Sequence, residues 1–129
     1  MKKLLLLIGI VVGILVVGVV GLHIMGQSRL DNAPEVVVAS VAVPSDEASI
    51  EHGRHLATIS SCTECHASNL EGTPFIDEAP IGYIPAPNLT PGGVGSTYSD
   101  EDWARAIRHG VAANGRVITT MPSDHYASY

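Results

Sequence analysis

The sequence predicts an all-α protein in which an N-terminal transmembrane helix precedes one small domain with long loops. Three observations lead to this fold class. An uncharged apolar run extends from Leu4 to Met25. Two later segments, from about Asp46 to Ser60 and from about Ser99 to His109, begin with helix-capping residues and carry apolar residues at helical spacing. Between them, residues 67–97 are rich in glycine and proline and show no sustained periodicity.

Residues 1–25 are predicted to form an uncleaved signal anchor. Lys2 and Lys3 precede the apolar run, and its 22 residues would span about 33 Å as a helix, close to the ~30 Å hydrocarbon core of a bilayer. A cleavable signal peptide, the alternative, has a shorter apolar region followed by a small-residue cleavage site. Because basic residues favour the cytoplasmic side, the rest of the chain is expected on the outer side of the membrane.

Residues 26–45 are predicted to form an extended linker before a domain that covers residues 46–129. Two prolines and scattered charges in the linker favour an extended chain over a packed element. The first helix of the domain begins near Asp46, where polar and acidic residues supply a cap. Its apolar residues are spaced as one face that we expect to be buried: Ile50, Leu56 and Ile59.

The second helix of the domain has the clearest boundaries. Ser99 is a good N-cap, and Asp102 three positions later makes a variant of the capping box. Gly110 provides the C-terminal stop. The apolar stripe consists of Trp103, Ala106 and Ile107.

Charge is distributed unevenly along the chain. The formal net charge is −6, and removing Lys2 and Lys3 from the count leaves five basic residues against 13 acidic ones. An acidic domain argues against nucleic acid as a partner and favours proteins with a basic docking patch. The alternative is that the acidic residues serve only solubility.

Cys62, Cys65 and His66 form a C-x-x-C-H pattern, which is the attachment signature of a c-type haem. Two thiols three positions apart can each add to one vinyl group of the same porphyrin. The histidine that follows then supplies an imidazole nitrogen to the iron. The sequence therefore predicts one covalent haem c, attached through Cys62 and Cys65, with His66 as the proximal iron ligand.

Three other uses of the cysteine pair are open. A redox dithiol of the thioredoxin type would need a βαβ context, which is not visible here. Half a zinc site would need a second ligand pair at metal spacing. A disulfide between Cys62 and Cys65 would close almost no loop.

A haem also makes the long loops of residues 67–97 understandable. A structureless segment of this length is unusual in a compact domain, but a porphyrin can itself be the core around which loops fold. Three polar residues in this segment are candidates for a propionate contact or for a turn: Tyr83, Asn88 and Thr90.

Met121 is the predicted distal ligand of the iron. Of the three methionines, one is the initiator and one lies in the apolar run, so Met121 is the one available to the haem. A thioether sulfur is a soft ligand that suits the sixth position of a low-spin iron. The alternatives are a Met121 that packs without binding, or His109 or His125 as the ligand.

Together these stretches resemble the class I cytochrome c family, and most closely its bacterial membrane-anchored or dehydrogenase-linked members. The resemblance covers about Ser45 to Tyr129. The stretches that carry it are Gly53-Arg54-His55-Leu56-Ala57, Cys62 to His66, Ala86-Pro87-Asn88-Leu89-Thr90-Pro91, Tyr98-Ser99-Asp100-Glu101-Asp102-Trp103, Ile107-Arg108-His109-Gly110 and Met121-Pro122.

The resemblance implies a small all-α fold around one haem c, with His66 and Met121 as axial iron ligands. It implies an electron carrier or electron-transfer subunit, not an enzyme, whose partners are a dehydrogenase, an oxidase or another cytochrome. Its expected location is the bacterial inner membrane, with the haem domain facing the periplasm. Two other functions remain: a haem sensor or enzyme with an open sixth site, and a structural haem subunit of a larger oxidoreductase complex.

The chain departs from the family pattern at its end. The family fold closes with a helix that crosses the N-terminal one, and here eight residues follow Met121. We expect the C-terminal helix to be missing, which would expose Ile50 and Leu56 on the N-terminal helix of the domain.

Overall fold

The computed structural model describes residues 1–128, which fall into two compact units. One unit contains Met1–Val38 together with the segment from Ala104 onward, and the other is Ala39–Trp103. The elements in chain order are α1 (Lys2–Asp31), α2 (Glu47–Ile59), α3 (Cys62–His66), β1 (Thr73–Glu78), β2 (Gly82–Ala86) and α4 (Asp100–His109), with short 3-10 helices at Val94–Ser96 and Ser123–Tyr126. The described chain is therefore mostly helical, with one small sheet.

Helix α1 is longer than the predicted anchor. It has 30 residues and continues to Asp31, beyond the expected end at Met25. By length and composition it could cross a membrane, although an N-terminal signal sequence would meet the same criterion. The helix ends where Asn32 leaves the helical conformation, and the Asn32 side-chain amide donates to the Ser28 carbonyl at 2.9 Å.

The last turn of α1 pairs with a later loop of the same unit. The Val117 amide donates to the Leu30 carbonyl at 2.8 Å, and the Ala33 amide donates to the Gly115 carbonyl at 3.1 Å. Since both bonds join main-chain groups, they fix the direction of this loop relative to the end of α1.

Helix α2 begins as predicted, but its apolar face is exposed. Asp46 is the N-cap, and its carboxylate accepts from the Ser49 amide at 2.9 Å and from the Ser49 hydroxyl at 2.7 Å. Ile50, Leu56 and Ile59 are 53%, 38% and 62% exposed. The face is therefore not buried, contrary to what its helical spacing alone had suggested, and the exposure of Ile50 and Leu56 agrees with the second expectation for this helix. Helical spacing identifies residues that share a side, but it does not say whether another element covers them. Here the face borders an open groove of about 620 Å³.

The Asp46 cap makes stability depend on pH. Hydrogen bonds from the Ser49 hydroxyl and the Ser49 amide hold the pKa of Asp46 below its usual range. A carboxyl with a lowered folded-state pKa stabilises the fold above its unfolded pKa, and this contribution is lost as pH falls through the folded pKa. Asp46→Asn keeps a capping acceptor that does not titrate. We expect the difference in unfolding free energy between wild type and variant to shrink in acid, as measured by denaturant titrations at several pH values. A difference that is constant with pH would contradict this.

The all-α prediction is wrong in one respect, because β1 and β2 form an antiparallel two-stranded sheet. Ile76 lies opposite Ile84, and Asp77 lies opposite Tyr83. The strands contain the β-branched and aromatic residues that favour pleated structure. A register irregularity between Thr73 and Ile76, together with a proline in each strand, interrupts the alternation by which a strand is recognised in sequence.

Helix α4 confirms the predicted capping box. The Asp102 amide donates to the Ser99 hydroxyl at 3.1 Å, and the Ser99 amide donates to the Asp102 carboxylate at 3.0 Å. On the predicted apolar stripe, Ala106 is buried at 5% exposure, whereas Ile107 is 39% exposed. Gly110 follows the helix with a φ of +65°, the left-handed conformation that commonly ends helices.

Candidate haem attachment site

Cys62, Cys65 and His66 lie together on the five-residue helix α3. Residues three positions apart share a helix face, so the two thiols lie on one side of α3. The flanking residues Ser61 and Ala67 have φ values of 60° and 67°, which separates α3 from the preceding helix and the following loop. Both cysteines are free and half-buried. This arrangement offers two thiols and one imidazole from a single helical turn.

Burial raises the pKa of the Cys62 thiol, and the neighbouring Cys65 adds to the effect. A redox dithiol needs a reactive thiolate, which a lowered pKa provides. The surroundings of Cys62 therefore disfavour the redox-dithiol interpretation.

Across residues 1–128, no group of three or more histidine, cysteine, aspartate or glutamate side chains is arranged to hold a metal ion.

The main chain of Pro87 orients the His66 ring. His66 Nδ1 lies 2.9 Å from the Pro87 carbonyl oxygen. Because a carbonyl oxygen can only accept, Nδ1 carries the proton and donates it to this bond. In the neutral imidazole, Nε2 is then the nitrogen without a proton, and its lone pair is available to a metal. Pro87 had no role assigned from the sequence, because it acts through a main-chain group that every residue has.

Two hydrogen bonds join α3 to the start of the hairpin. The Thr73 hydroxyl donates to the Cys65 carbonyl at 2.7 Å. The Gly72 amide donates to the His66 carbonyl at 2.8 Å. Strand β2 ends one residue before Pro87, so both ends of the hairpin adjoin the residues that hold α3.

Gly72 allows the chain before β1 to lie close to the main chain of residues 86–88. Its φ is +86°, and a Cβ atom placed here would lie 2.7 Å from the Ala86 oxygen, 2.8 Å from the Asn88 nitrogen and 2.9 Å from the Pro87 carbonyl carbon. Real Cβ atoms do not come so near to main-chain atoms, so this position requires glycine. The sequence shows a glycine six positions after His66, but it does not show that this position requires glycine, because the requirement comes from a contact with residues 86–88.

The loop after Pro87 folds on itself. The Asn88 side-chain oxygen accepts from the Thr90 amide at 2.8 Å and from the Thr90 hydroxyl at 2.7 Å. This is an Asx-type turn. Asn88 and Thr90 were candidates for a propionate contact or for a turn, and in the structure their side chains form a turn.

Met121 lies in the other unit, in a segment that is attached to α4 before and after it. The Ile118 amide donates to the Gly110 carbonyl at 2.7 Å. The Ser123 hydroxyl donates to the Ala106 carbonyl at 3.2 Å, and Ser123 is buried at 7% exposure. Met121 itself is half-buried. Its role as the second axial ligand stays a prediction.

The chemistry of the residues present fits a covalent haem. Two thiols on one side of α3 suit thioether attachment, and Nε2 of His66, which makes no hydrogen bond to Pro87, suits an iron ligand. Among the described residues after α1, the buried apolar side chains are those of Ala106 and Val111, while larger ones such as Ile59 and Phe75 are exposed. A small domain with so few buried apolar side chains gains stability from a further apolar body, and a porphyrin is one.

The chain is similar to two curated cytochrome subunits of dehydrogenases. It is 38% identical over 92 residues to the gluconate 2-dehydrogenase cytochrome c subunit of Pantoea cypripedii, which covers 66% of this chain and 20% of that protein. It is 34% identical over 86 residues to the fructose dehydrogenase cytochrome subunit of Gluconobacter japonicus, which covers 60% of this chain and 18% of that protein. No protein-family model and no solved structure matches the chain. The chain thus spans about a fifth of the length of these relatives, and the similarity supports a relationship to c-type cytochromes.

Proposed function

We propose that this chain transfers single electrons through a covalently bound haem c, as a membrane-tethered part of a dehydrogenase-linked or respiratory chain. The observation that carries the proposal is the geometry of α3, which presents two thiols on one face and a histidine whose Nδ1 donates to Pro87. Similarity to cytochrome subunits of two sugar or sugar-acid dehydrogenases supports the same function.

In this proposal Cys62 and Cys65 would hold the haem covalently, and His66 Nε2 and the Met121 sulfur would bind its iron. When bound, the haem supplies one-electron chemistry through its iron. The protein contributes the orientation and basicity of the imidazole, because the bond from Nδ1 to Pro87 fixes both the ring and its tautomer. With both axial positions filled by side chains, no position remains for a substrate, and the chain acts as a carrier and not as an enzyme.

We also propose that α1 anchors the chain in the bacterial inner membrane with the haem domain in the periplasm. The apolar length of α1 and the two lysines in its first turn support this orientation. The partners are then redox proteins at the same membrane: a dehydrogenase, an oxidase or another cytochrome.

Replacing Met121 by alanine is expected to lower the reduction potential and to remove the weak far-red charge-transfer band of the oxidised protein. A thioether ligand raises the potential, and axial ligands set haem potentials over a range of about 0.8 V, so a fall on the order of 0.1 V or more is expected. The measurement is spectroelectrochemistry of the chain produced with a haem c maturation system. Met25→Ala, in α1, is the matched control and should leave both properties unchanged.

Two results would contradict the carrier proposal. One is a wild-type chain whose ferrous form binds carbon monoxide readily and whose spectrum is insensitive to Met121→Ala. This result would indicate an open sixth site, as in a haem sensor or haem enzyme. The other is a haem that stays redox-silent in the assembled complex, which would indicate a structural haem.

A further inference from the structure

The end of the β1–β2 hairpin, Asp77–Tyr83, presents exposed apolar and acidic side chains side by side. We call this segment the hairpin tip. Ile81 and Tyr83 are 65% and 63% exposed. Asp77 lies directly opposite Tyr83 across the strands, and the exposed Glu78 follows it. Asp77, Glu78 and Tyr83 line an open concavity of about 350 Å³.

This combination is typical of a protein interface. Exposed aromatic and aliphatic side chains surrounded by polar groups serve as anchors when a partner covers them. Two large apolar side chains that are this exposed lose contact with water only if another surface covers them.

The charge of the surrounding unit selects the kind of partner. Residues 39–103 contain ten acidic residues and a single basic one, Arg54. Arg54 is already paired with Glu51 at 3.1 Å. The field of this unit is therefore strongly negative, which repels nucleic acids and anionic lipid surfaces and attracts surfaces rich in lysine and arginine.

The hairpin is also linked to the candidate haem site. At one end, the Thr73 hydroxyl donates to the Cys65 carbonyl and the Gly72 amide donates to the His66 carbonyl. At the other end, β2 leads directly into Pro87, which accepts from His66. A partner at the tip would thus contact an element that is hydrogen-bonded to the helix carrying both cysteines.

We propose that the hairpin tip is the docking site for a redox partner protein whose contact surface has an apolar centre and a basic rim. Asp77 and Glu78 meet the basic rim, and Ile81 and Tyr83 enter the apolar centre. This inference rests on the proposed function, since the partner exchanges electrons with a haem held on α3.

The test uses the full haem-loaded chain in nanodiscs of neutral lipid and, as a probe, a lysine-rich cytochrome c of high isoelectric point. Carbodiimide joins carboxylates to lysine amines across an interface, and mass spectrometry of the products maps the sites. We expect cross-links concentrated at Asp77 and Glu78. The double variant Asp77→Asn/Glu78→Gln should lose them and bind the probe on the order of tenfold more weakly at low ionic strength.

A matched control is Asp100→Asn/Glu101→Gln, which removes the same charge from the same unit at the start of α4. It should weaken binding much less than the tip variant. A third variant, Ile81→Ser/Tyr83→Ser, should weaken binding while leaving its salt dependence unchanged, because it removes apolar contact without removing charge.

Three outcomes would overturn the docking proposal: no binding by the wild type at low ionic strength, equal losses for the two charge variants, or cross-links spread over α2 and α4 without enrichment at the tip. The haem spectrum and reduction potential of every variant are recorded in parallel. A redox-inactive haem would refute the proposed function, whereas an active haem with no preference for the tip would refute the docking site alone.

Discussion

A chain in which Cys62 and Cys65 are both replaced by alanine is expected to carry no covalent haem. The protein has two cysteines, and each thioether bond consumes one thiol, so the double variant has no attachment point. Few apolar side chains are buried within residues 1–128, and we therefore expect the variant also to lose a cooperative unfolding transition. Haem staining on a denaturing gel and the intact mass measure the first effect, and calorimetry measures the second.

The single variants separate attachment from ligation. Cys62→Ala and Cys65→Ala should each keep haem through one thioether bond, at reduced yield, because His66 still offers its imidazole. Thr63→Ala, between the two cysteines, is the matched control and should stain like the wild type. Covalent haem in the double variant would show that attachment occurs elsewhere and would refute the assignment of these two residues.

Gly72→Ala is expected to destabilise the haem-loaded protein by roughly 2–5 kcal/mol. A left-handed conformation costs an L-residue about 1–2 kcal/mol, and forced contact in a packed region costs about 1–3 kcal/mol more. The atoms that the new methyl group would meet belong to the main chain of residues 86–88 and cannot rotate away. Moving this segment displaces the Pro87 carbonyl from His66, so we also expect a changed reduction potential. Denaturant titration and spectroelectrochemistry measure the two effects.

Gly115→Ala is the control for the conformational part of this cost. Gly115 has a φ of +80°, close to that of Gly72, but a Cβ atom there would meet nothing within 4 Å. The control should therefore lose only about 1–2 kcal/mol. Equal losses for the two variants would mean that the contact with residues 86–88 does not contribute.

Features that depend on neighbours in sequence could be predicted. The cap of α2 joins Asp46 to Ser49, and the capping box of α4 joins Ser99 to Asp102, each over three positions. These interactions form wherever the local chain is helical, so the residue types alone identify them. The spacing of Cys62 and Cys65 likewise places both residues within one helical turn of α3, while haem attachment at this pair stays a prediction.

Features that depend on distant segments could not be predicted. The acceptor for His66 is a main-chain carbonyl 21 positions away, and a carbonyl has no residue signature. The β1–β2 hairpin could not be recognised in the sequence, because a register irregularity and two prolines interrupt the alternation of inward and outward residues along its strands. The spacing of Ile50, Leu56 and Ile59 indicates a common side of α2, but it does not show whether another element covers that side, which is exposed in the structure.

The hydrogen bond between the Val117 amide and the Leu30 carbonyl affects how measurements on a shortened chain without the N-terminal helix should be interpreted. Removing residues 1–31 would leave the Val117 amide without its acceptor and would break the ion pair between Arg116 and Asp31, whose closest atoms are 3.1 Å apart. The freed loop leads within four residues to Met121. A reduction potential measured on such a shortened chain would then describe a protein in which the loop before the proposed ligand Met121 is altered. The N-terminal helix would have to be kept in any chain on which the proposed electron transfer is measured.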